Sequence, residues 1–183
     1  MNTRQPDPPR PGACLTRRSF LLHSGAAVTG TVLLCNIPGF EGISLAAELA
    51  SYPRKRLGRL SELKDGEPVW FNYPDNSQNS GSMLVKLGVP AGGGIGPDQD
   101  VVAFNLLCPH MGGVLHGAYK AADQVIGPCP FHQSCFDLTR HGMIITGHAT
   151  ESLPQVLLES EGDDIHATGL IGLIYGHSDN LRP

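Results

Sequence analysis

The chain has 183 residues, of which 40% are hydrophobic and 16% charged, and its net charge is −4. This length and balance fit one globular domain with residues left for a leader or tail, and they argue against a disordered chain. The charge is mild and no basic stripe is interleaved with aromatic residues, which argues against a nucleic-acid partner. With 23 glycines and 15 prolines, the composition favours short strands and many turns over a helical bundle.

Residues 1–50 are predicted to be a leader segment. Paired arginines, Arg17 and Arg18, precede a weakly apolar stretch rich in Gly, Ala and Thr, as in twin-arginine export signals. That stretch, Leu21 to Ile37, has only 17 residues and is short for a membrane span. Small residues between Ile43 and Ala50 offer cleavage sites. The leader predicts a periplasmic location, with membrane association only if it is not cleaved.

From residue 51 to residue 183 the pattern predicts one domain of short strands. A run of β-formers that ends at a turn residue is typical of a strand, and a tight turn between two alternating runs predicts a hairpin. The predicted elements are strands at 54–60, 68–73, 82–89 and 101–107, a helical turn at 61–68, and a hairpin at 154–169 turning at Glu161–Asp164. Trp70 is predicted to be a core residue. The glycine-rich segment 90–100 is predicted to be a surface connection, because no Lys-Ser/Thr pair follows it.

The cysteines of this domain point to a metal. Cys14 and Cys35 lie in the predicted leader, which leaves Cys108, Cys129 and Cys135. An odd number is a poor basis for a disulfide framework. Histidines accompany the first two of these cysteines, as expected for metal ligands.

The spacing separates two kinds of metal centre. One cluster is C-x-H, with Cys108 and His110, and the other is C-x-x-H, with Cys129 and His132. A zinc finger usually pairs two cysteines in one cluster and two histidines in the other. Here each cluster supplies one sulfur and one nitrogen, which favours a [2Fe–2S] cluster whose two irons have different ligands. A structural zinc module stays the alternative.

These two clusters resemble the boxes of the Rieske iron–sulfur family, C-x-H-x-G-C and C-P-C-H-x-S. The resemblance implies an all-β fold, a Rieske-type antiparallel β-sandwich with a small cluster-binding subdomain whose loops span about residues 106–137. It implies that Cys108 and Cys129 bind one iron while His110 and His132 bind the other. It also implies that Ser134 donates a hydrogen bond to a bridging sulfide and tunes the cluster. The matching positions are Cys108, His110, Gly112, Cys129, Pro130, His132 and Ser134.

The departures from the family pattern are informative. High-potential members join the two loops by a disulfide, and those positions are Gly113 and Phe131 here. Phe136 replaces a tyrosine that donates a hydrogen bond to a cysteine sulfur in respiratory members. We therefore expect a potential in the lower or middle part of the roughly −150 to +300 mV Rieske range. Cys135 is predicted to be a buried bystander thiol. The remaining histidines are predicted to be surface or hydrogen-bonding residues and not ligands, and His141 and His148, just past the second box, are the two to check for nearness to the cluster.

The chain as a whole resembles the small subunit of arsenite oxidase. That resemblance implies a periplasmic electron-transfer subunit without catalysis of its own, bound to a large subunit with a molybdopterin and an iron–sulfur cluster. Electrons would pass to a soluble cytochrome c or copper protein. Two alternatives stay open: the Rieske subunit of a quinol-oxidising cytochrome complex and the Rieske ferredoxin of a dioxygenase system. The missing disulfide argues against the first, and the leader argues against the second.

Overall fold

A computed structural model of the protein describes residues 51–181, so the predicted leader, residues 1–50, lies outside the described residues. Within that range the regular elements are ten β-strands and three short 3₁₀ turns, which confirms the all-β prediction. No helix in this part of the chain is long and apolar enough to span a membrane. The strands are β1 (Lys55–Arg59), β2 (Val69–Asn72), β3 (Gly81–Lys86), β4 (Val101–Asn105), β5 (Tyr119–Lys120), β6 (Val125–Ile126), β7 (Cys135–Asp137), β8 (Met143–Thr146), β9 (Gln155–Glu161) and β10 (Asp164–Ile171), and the 3₁₀ turns are Leu60–Glu62, Gln78–Ser80 and Leu138–Arg140.

Six strands form an antiparallel sheet in the order β1-β10-β9-β4-β3-β2. The sheet curls so that its edge strands approach each other: Lys55 Nζ on β1 donates a hydrogen bond of 2.8 Å to the carbonyl oxygen of Asn72 on β2. β9 and β10 form the predicted hairpin, in which Glu161 pairs with Asp164 across a two-residue turn. The result is a nearly closed barrel.

Alternate side chains of β3 and β4 face two different cores. Leu84 and Ala103 pack inside the barrel, together with Val156 and Ile165. Their neighbours along the same two strands point to the other face and join the second core, which contains Cys108 and Cys129; these neighbours are Met83, Val85, Val102 and Phe104. Because successive residues of a strand point to opposite faces, both faces of β3 and β4 are covered and every residue of β4 is buried.

The second core belongs to a smaller sheet inserted between β4 and β9. Its strands follow the order β5-β6-β7-β8 and are only two to four residues long. We call residues 106–154 the cluster-binding subdomain. Its short strands leave most of the chain in loops.

The structure corrects one prediction and adds to another. Trp70 is not a core residue: β2 is an edge strand, the Trp70 side chain is 41% exposed, and its ring lies 4.2 Å from that of His116. The glycine-rich segment 90–100 does connect β3 to β4, but it also packs on the subdomain, since the Gly92 N–H donates to the carbonyl oxygen of Thr139 at 2.8 Å. The strands of the subdomain had not been predicted because runs of two to four residues are too short to display a clear alternating pattern.

Candidate metal centre

Two loops of the subdomain carry the candidate ligands, and they close in the same way. In the first loop, residues 108–113, the Cys108 N–H donates to the Gly113 oxygen at 2.9 Å and the Gly112 N–H donates to the Cys108 oxygen at 2.8 Å. In the second loop, residues 129–134, the Cys129 N–H donates to the Ser134 oxygen at 2.8 Å and the Gln133 N–H donates to the Cys129 oxygen at 3.0 Å. Each loop is therefore a six-residue turn that begins at a cysteine.

The fifth residue of each turn has a left-handed backbone, with φ +69° at Gly112 and φ +60° at Gln133. This conformation suits glycine and costs other residues conformational energy. One loop meets this conformation with glycine and the other with glutamine. The two loops are thus structurally equivalent frames for one sulfur and one imidazole each.

The four candidate ligands lie together at the ends of these loops. Cys108 and Cys129 are 1% and 2% exposed, and their thiols are neighbours within hydrogen-bonding reach. The rings of His110 and His132 lie 4.7 Å apart and are half-buried. The sulfurs therefore face the core, whereas the imidazoles lie nearer the surface.

Two buried groups in this site, a histidine nitrogen and a cysteine thiol, lack a stabilising partner within the chain itself. Nδ1 of His132 is buried without a hydrogen-bond partner, although such atoms are almost always paired. Burial raises the pKa of the Cys108 thiol, while the backbone N–H of His110 opposes the rise. A buried thiolate needs a nearby positive charge, and a bare imidazole nitrogen needs a donor or a metal. Iron bound at this site would meet both needs.

The donors do not converge on one metal-ion position, and no other three His, Cys, Asp or Glu side chains within residues 51–181 do so. They form a sulfur pair and a nitrogen pair. A two-iron cluster takes its ligands in such pairs, one pair for each iron. The arrangement consequently fits a [2Fe–2S] cluster.

Ser134 lies under the same site and is fully buried. Its Oγ accepts two backbone hydrogen bonds of 3.1 Å, from the N–H groups of His148 and Ala149. With those acceptor sites occupied, its proton is free to point to sulfur. Burial raises the pKa of the neighbouring Cys108 thiol, and the Ser134 hydroxyl, like the His110 N–H, opposes that rise. Ser134 can therefore donate to sulfur at this site.

A third loop, residues 147–154 between β8 and β9, covers Ser134. A Cβ on Gly147 would lie 2.2 Å from the Ser134 Cα, so the two backbones are in close contact. The next residue, His148, places its ring 6.0 Å from that of His110 and 5.6 Å from that of His132. His148 thus lies beside the candidate ligands, whereas His141 makes a hydrogen-bond contact of 2.8 Å between its Nδ1 and Gln155 Oε1.

Gly113 and Phe131 are neighbours across the two loops, which fits their correspondence to a disulfide pair. A Cβ on Gly113 would lie 3.3 Å from Phe131 Cδ2 and only 2.5 Å from Cys129 Sγ. Cys135 is half-buried rather than buried, and its thiol donates to the Gln133 oxygen at 3.7 Å. A further residue, Tyr175, packs on Gly112 and had not been predicted because it lies far away in sequence.

The fold and the site define a Rieske-type iron–sulfur protein, which holds a [2Fe–2S] cluster and transfers electrons. The chain belongs to the Rieske [2Fe–2S] domain family, whose pattern matches residues 55–157. This membership decides between the cluster and structural zinc in favour of the cluster. The likeness to the soluble domain of Rieske protein II from Sulfolobus acidocaldarius supports the fold: TM-score 0.60, 22% identity, covering 71% of this chain and 84% of that one.

Two relatives are more similar in sequence. Iodate reductase subunit IdrB of Denitromonas iodatirespirans is 58% identical over 92% of this chain and 88% of its own length. Iodate reductase subunit IdrB of Pseudomonas sp. (strain SCT) is 56% identical over 90% of this chain and 83% of its own length. The similarity therefore extends over nearly the whole of each protein.

Proposed function

We propose that this chain is the Rieske electron-transfer subunit of a periplasmic iodate reductase. The observation that carries the proposal is the site itself. Two equivalent loops bring together two buried sulfurs and two half-buried imidazoles. The proposal that iodate is the substrate reduced by the complex rests on the relatives, which are iodate reductase subunits at 58% and 56% identity. The chain would not reduce iodate alone.

The proposed ligands are Cys108 and Cys129 for one iron and His110 and His132 for the other. When bound, the cluster accepts and releases one electron at a time. The chain encloses the sulfur side within the subdomain core, and this burial excludes water from it. It leaves the two imidazole rings nearer the surface, so that an electron donor or acceptor can approach that side.

The arsenite oxidase function expected from the sequence is narrower than the relatives support. The arsenite oxidase prediction rested on resemblance alone, whereas the relatives at 58% and 56% identity are iodate reductase subunits. The direction of electron flow differs accordingly. In the proposed iodate reductase, electrons enter this subunit from a soluble cytochrome c or copper protein and leave it to the catalytic subunit.

The proposed partner is a large subunit with a molybdopterin centre and an iron–sulfur cluster, and the proposed route of export is the twin-arginine pathway. The support for a partner is that both relatives are named as subunits. The support for export is the Arg17–Arg18 pair ahead of a weakly apolar stretch. A quinol-oxidising complex and a dioxygenase ferredoxin have no comparable support.

The test uses the native complex purified without oxygen. Its cluster is reduced with dithionite, excess reductant is removed, and the EPR signal is followed after iodate is added. We expect iodate to abolish the signal of the complex but not that of the isolated subunit. Arsenite serves as the contrasting reagent: if it reduces the oxidised cluster while iodate leaves the reduced one unchanged, the iodate proposal is wrong.

A further inference from the structure

Tyr175 contacts the first loop at the residue where that loop has no side chain. A Cβ on Gly112 would lie 2.5 Å from Cδ1 and 2.6 Å from Cε1 of the Tyr175 ring. Real Cβ atoms do not come this close to carbon, so the ring occupies the space of a side chain at position 112. The contact is therefore possible only because residue 112 is glycine.

The equivalent position of the second loop shows that the backbone alone does not demand glycine. Gln133 adopts φ +60° and keeps its side chain, whose Nε2 lies 3.5 Å from the Cys129 oxygen. Gly112 has nearly the same φ, +69°, but its side-chain space is filled by Tyr175. The glycine at position 112 is thus explained by the aromatic ring as well as by the turn.

Tyr175 is itself held by a hydrogen-bonded C-terminal segment. The preceding residue, Ile174, is fully buried, and its N–H donates to Asn180 Oδ1 at 2.9 Å. The backbone carbonyl oxygen of Tyr175 accepts a hydrogen bond of 3.0 Å from Asn79 Nδ2. The backbone carbonyl oxygen of Asn79 in turn accepts a hydrogen bond of 2.9 Å from the side-chain Nδ2 of Asn105. Asn105 is buried and ends β4, the strand that leads to Cys108.

We propose that Tyr175 is a positioning residue for the cluster: its ring, packed on Gly112, fixes the first loop and through it the orientation of His110. This rests on the proposed ligands. The first loop is thereby contacted by two aromatic rings, Tyr175 at Gly112 and Phe131 at Gly113. Two aromatic contacts thus restrain loops that no disulfide joins.

The first experiment compares the cluster in variants of the full complex. Tyr175→Ala is expected to release iron to a chelator on the order of 10-fold faster and to broaden the EPR signal, as when a group that orients a metal ligand is removed. Tyr175→Phe keeps the ring and should behave as the wild type. Leu173→Ala, which truncates a 45% exposed side chain in the same segment, is the matched control and should also change nothing.

General destabilisation is separated from positioning by Ile165→Ala, which removes a fully buried side chain of the barrel core, a core that contains no residue of the ligand loops. We expect this variant to lower the melting temperature without broadening the EPR signal. If Tyr175→Ala releases iron no faster than the Ile165→Ala control variant does for the same drop in melting temperature, the proposal is wrong. If Tyr175→Ala does not fold, Tyr175→Leu takes its place, with the same expectations.

A double-mutant cycle tests the contact directly. Gly112→Ala alone should lose most of the cluster, because the new methyl group meets the ring. Gly112→Ala combined with Tyr175→Ala should recover part of it, although Ala at φ +69° keeps some strain. Additive effects would overturn the proposal. A wild-type protein without a Rieske EPR signal would instead refute the ligand assignment, before any variant is compared.

Discussion

The six-stranded sheet and the cluster-binding subdomain are held together by different means. In the sheet, a single pair of strands, β9 and β10, is paired at seven positions between Asp164 and Ile171, and alternating side chains fill the barrel. In the subdomain, β5 and β6 are paired at two positions only. Its loops depend instead on backbone bonds inside each turn and on close contacts at Gly112, Gly113 and Gly147.

The difference implies that the subdomain can be damaged while the barrel survives. The barrel core draws on no residue of the ligand loops. The subdomain core, by contrast, includes the two cysteines that we propose as iron ligands. Changes near the loops should therefore alter the cluster first and the fold second.

The largest expected effect comes from Cys129→Ser. Removing a proposed thiolate ligand should abolish the cluster, while the barrel keeps its β-structure because its core is separate. Iron content, visible absorption and far-UV circular dichroism measure the two effects. Cys135→Ser, in the neighbouring strand, is the control and should keep the cluster; the reverse pattern would refute the ligand assignment.

A single methyl group at Gly113 should have the next largest effect. A Cβ there lies 2.5 Å from Cys129 Sγ, a sulfur that cannot move once it binds iron. Gly113→Ala should lose most of the cluster and cost about 1–3 kcal/mol of unfolding free energy, as overpacking does. Gly81→Ala, where nothing lies within 4 Å, should leave both unchanged. Equal iron content in the two variants would contradict this account.

Ser134→Ala should lower the reduction potential. The hydroxyl favours negative charge on sulfur, and reduction makes the cluster more negative. A bond of about 1.4 kcal/mol corresponds to roughly 60 mV for a one-electron couple. Protein-film voltammetry measures the shift. Ser82→Ala, another buried serine but in the six-stranded sheet, should leave the potential unchanged; an equal shift in both variants would remove Ser134 from the tuning of the cluster.

The smallest effects are expected at Gln133. Gln133→Gly should change stability by less than about 1 kcal/mol, because relief of the left-handed backbone is offset by the entropy of glycine. Gln133→Val should cost about 1–2 kcal/mol, since a β-branched residue is least tolerated there. Chemical denaturation followed by fluorescence measures both. A Gln133→Val protein as stable as the wild type would refute the equivalence of the two loops.

The strands of the six-stranded sheet could be predicted from the sequence, whereas those of the cluster-binding subdomain could not. Strands of the barrel are long enough for alternation and turn residues to reveal them, and the hairpin at Glu161–Asp164 was located to the residue. The candidate ligands could be predicted because their spacing is local. Trp70 was misplaced because the sequence does not reveal which strand lies at a sheet edge.

The remaining parts of the site depend on contacts between distant residues. Tyr175 lies more than 60 residues beyond Gly112, and no local pattern connects them. The two backbone bonds to Ser134 Oγ come from the third loop, whose path depends on the packing of the subdomain. Such contacts follow from the fold and not from any motif.

The most direct test of the central claim is pulsed EPR on the reduced protein after labelling with ¹⁵N-histidine. Two strongly coupled histidine nitrogens are expected, since the proposed cluster has His110 and His132 on one iron. Each coupling should disappear separately in His110→Cys and His132→Cys. A cluster without coupled histidine nitrogen would contradict the account, and so would a protein that contains zinc in place of iron.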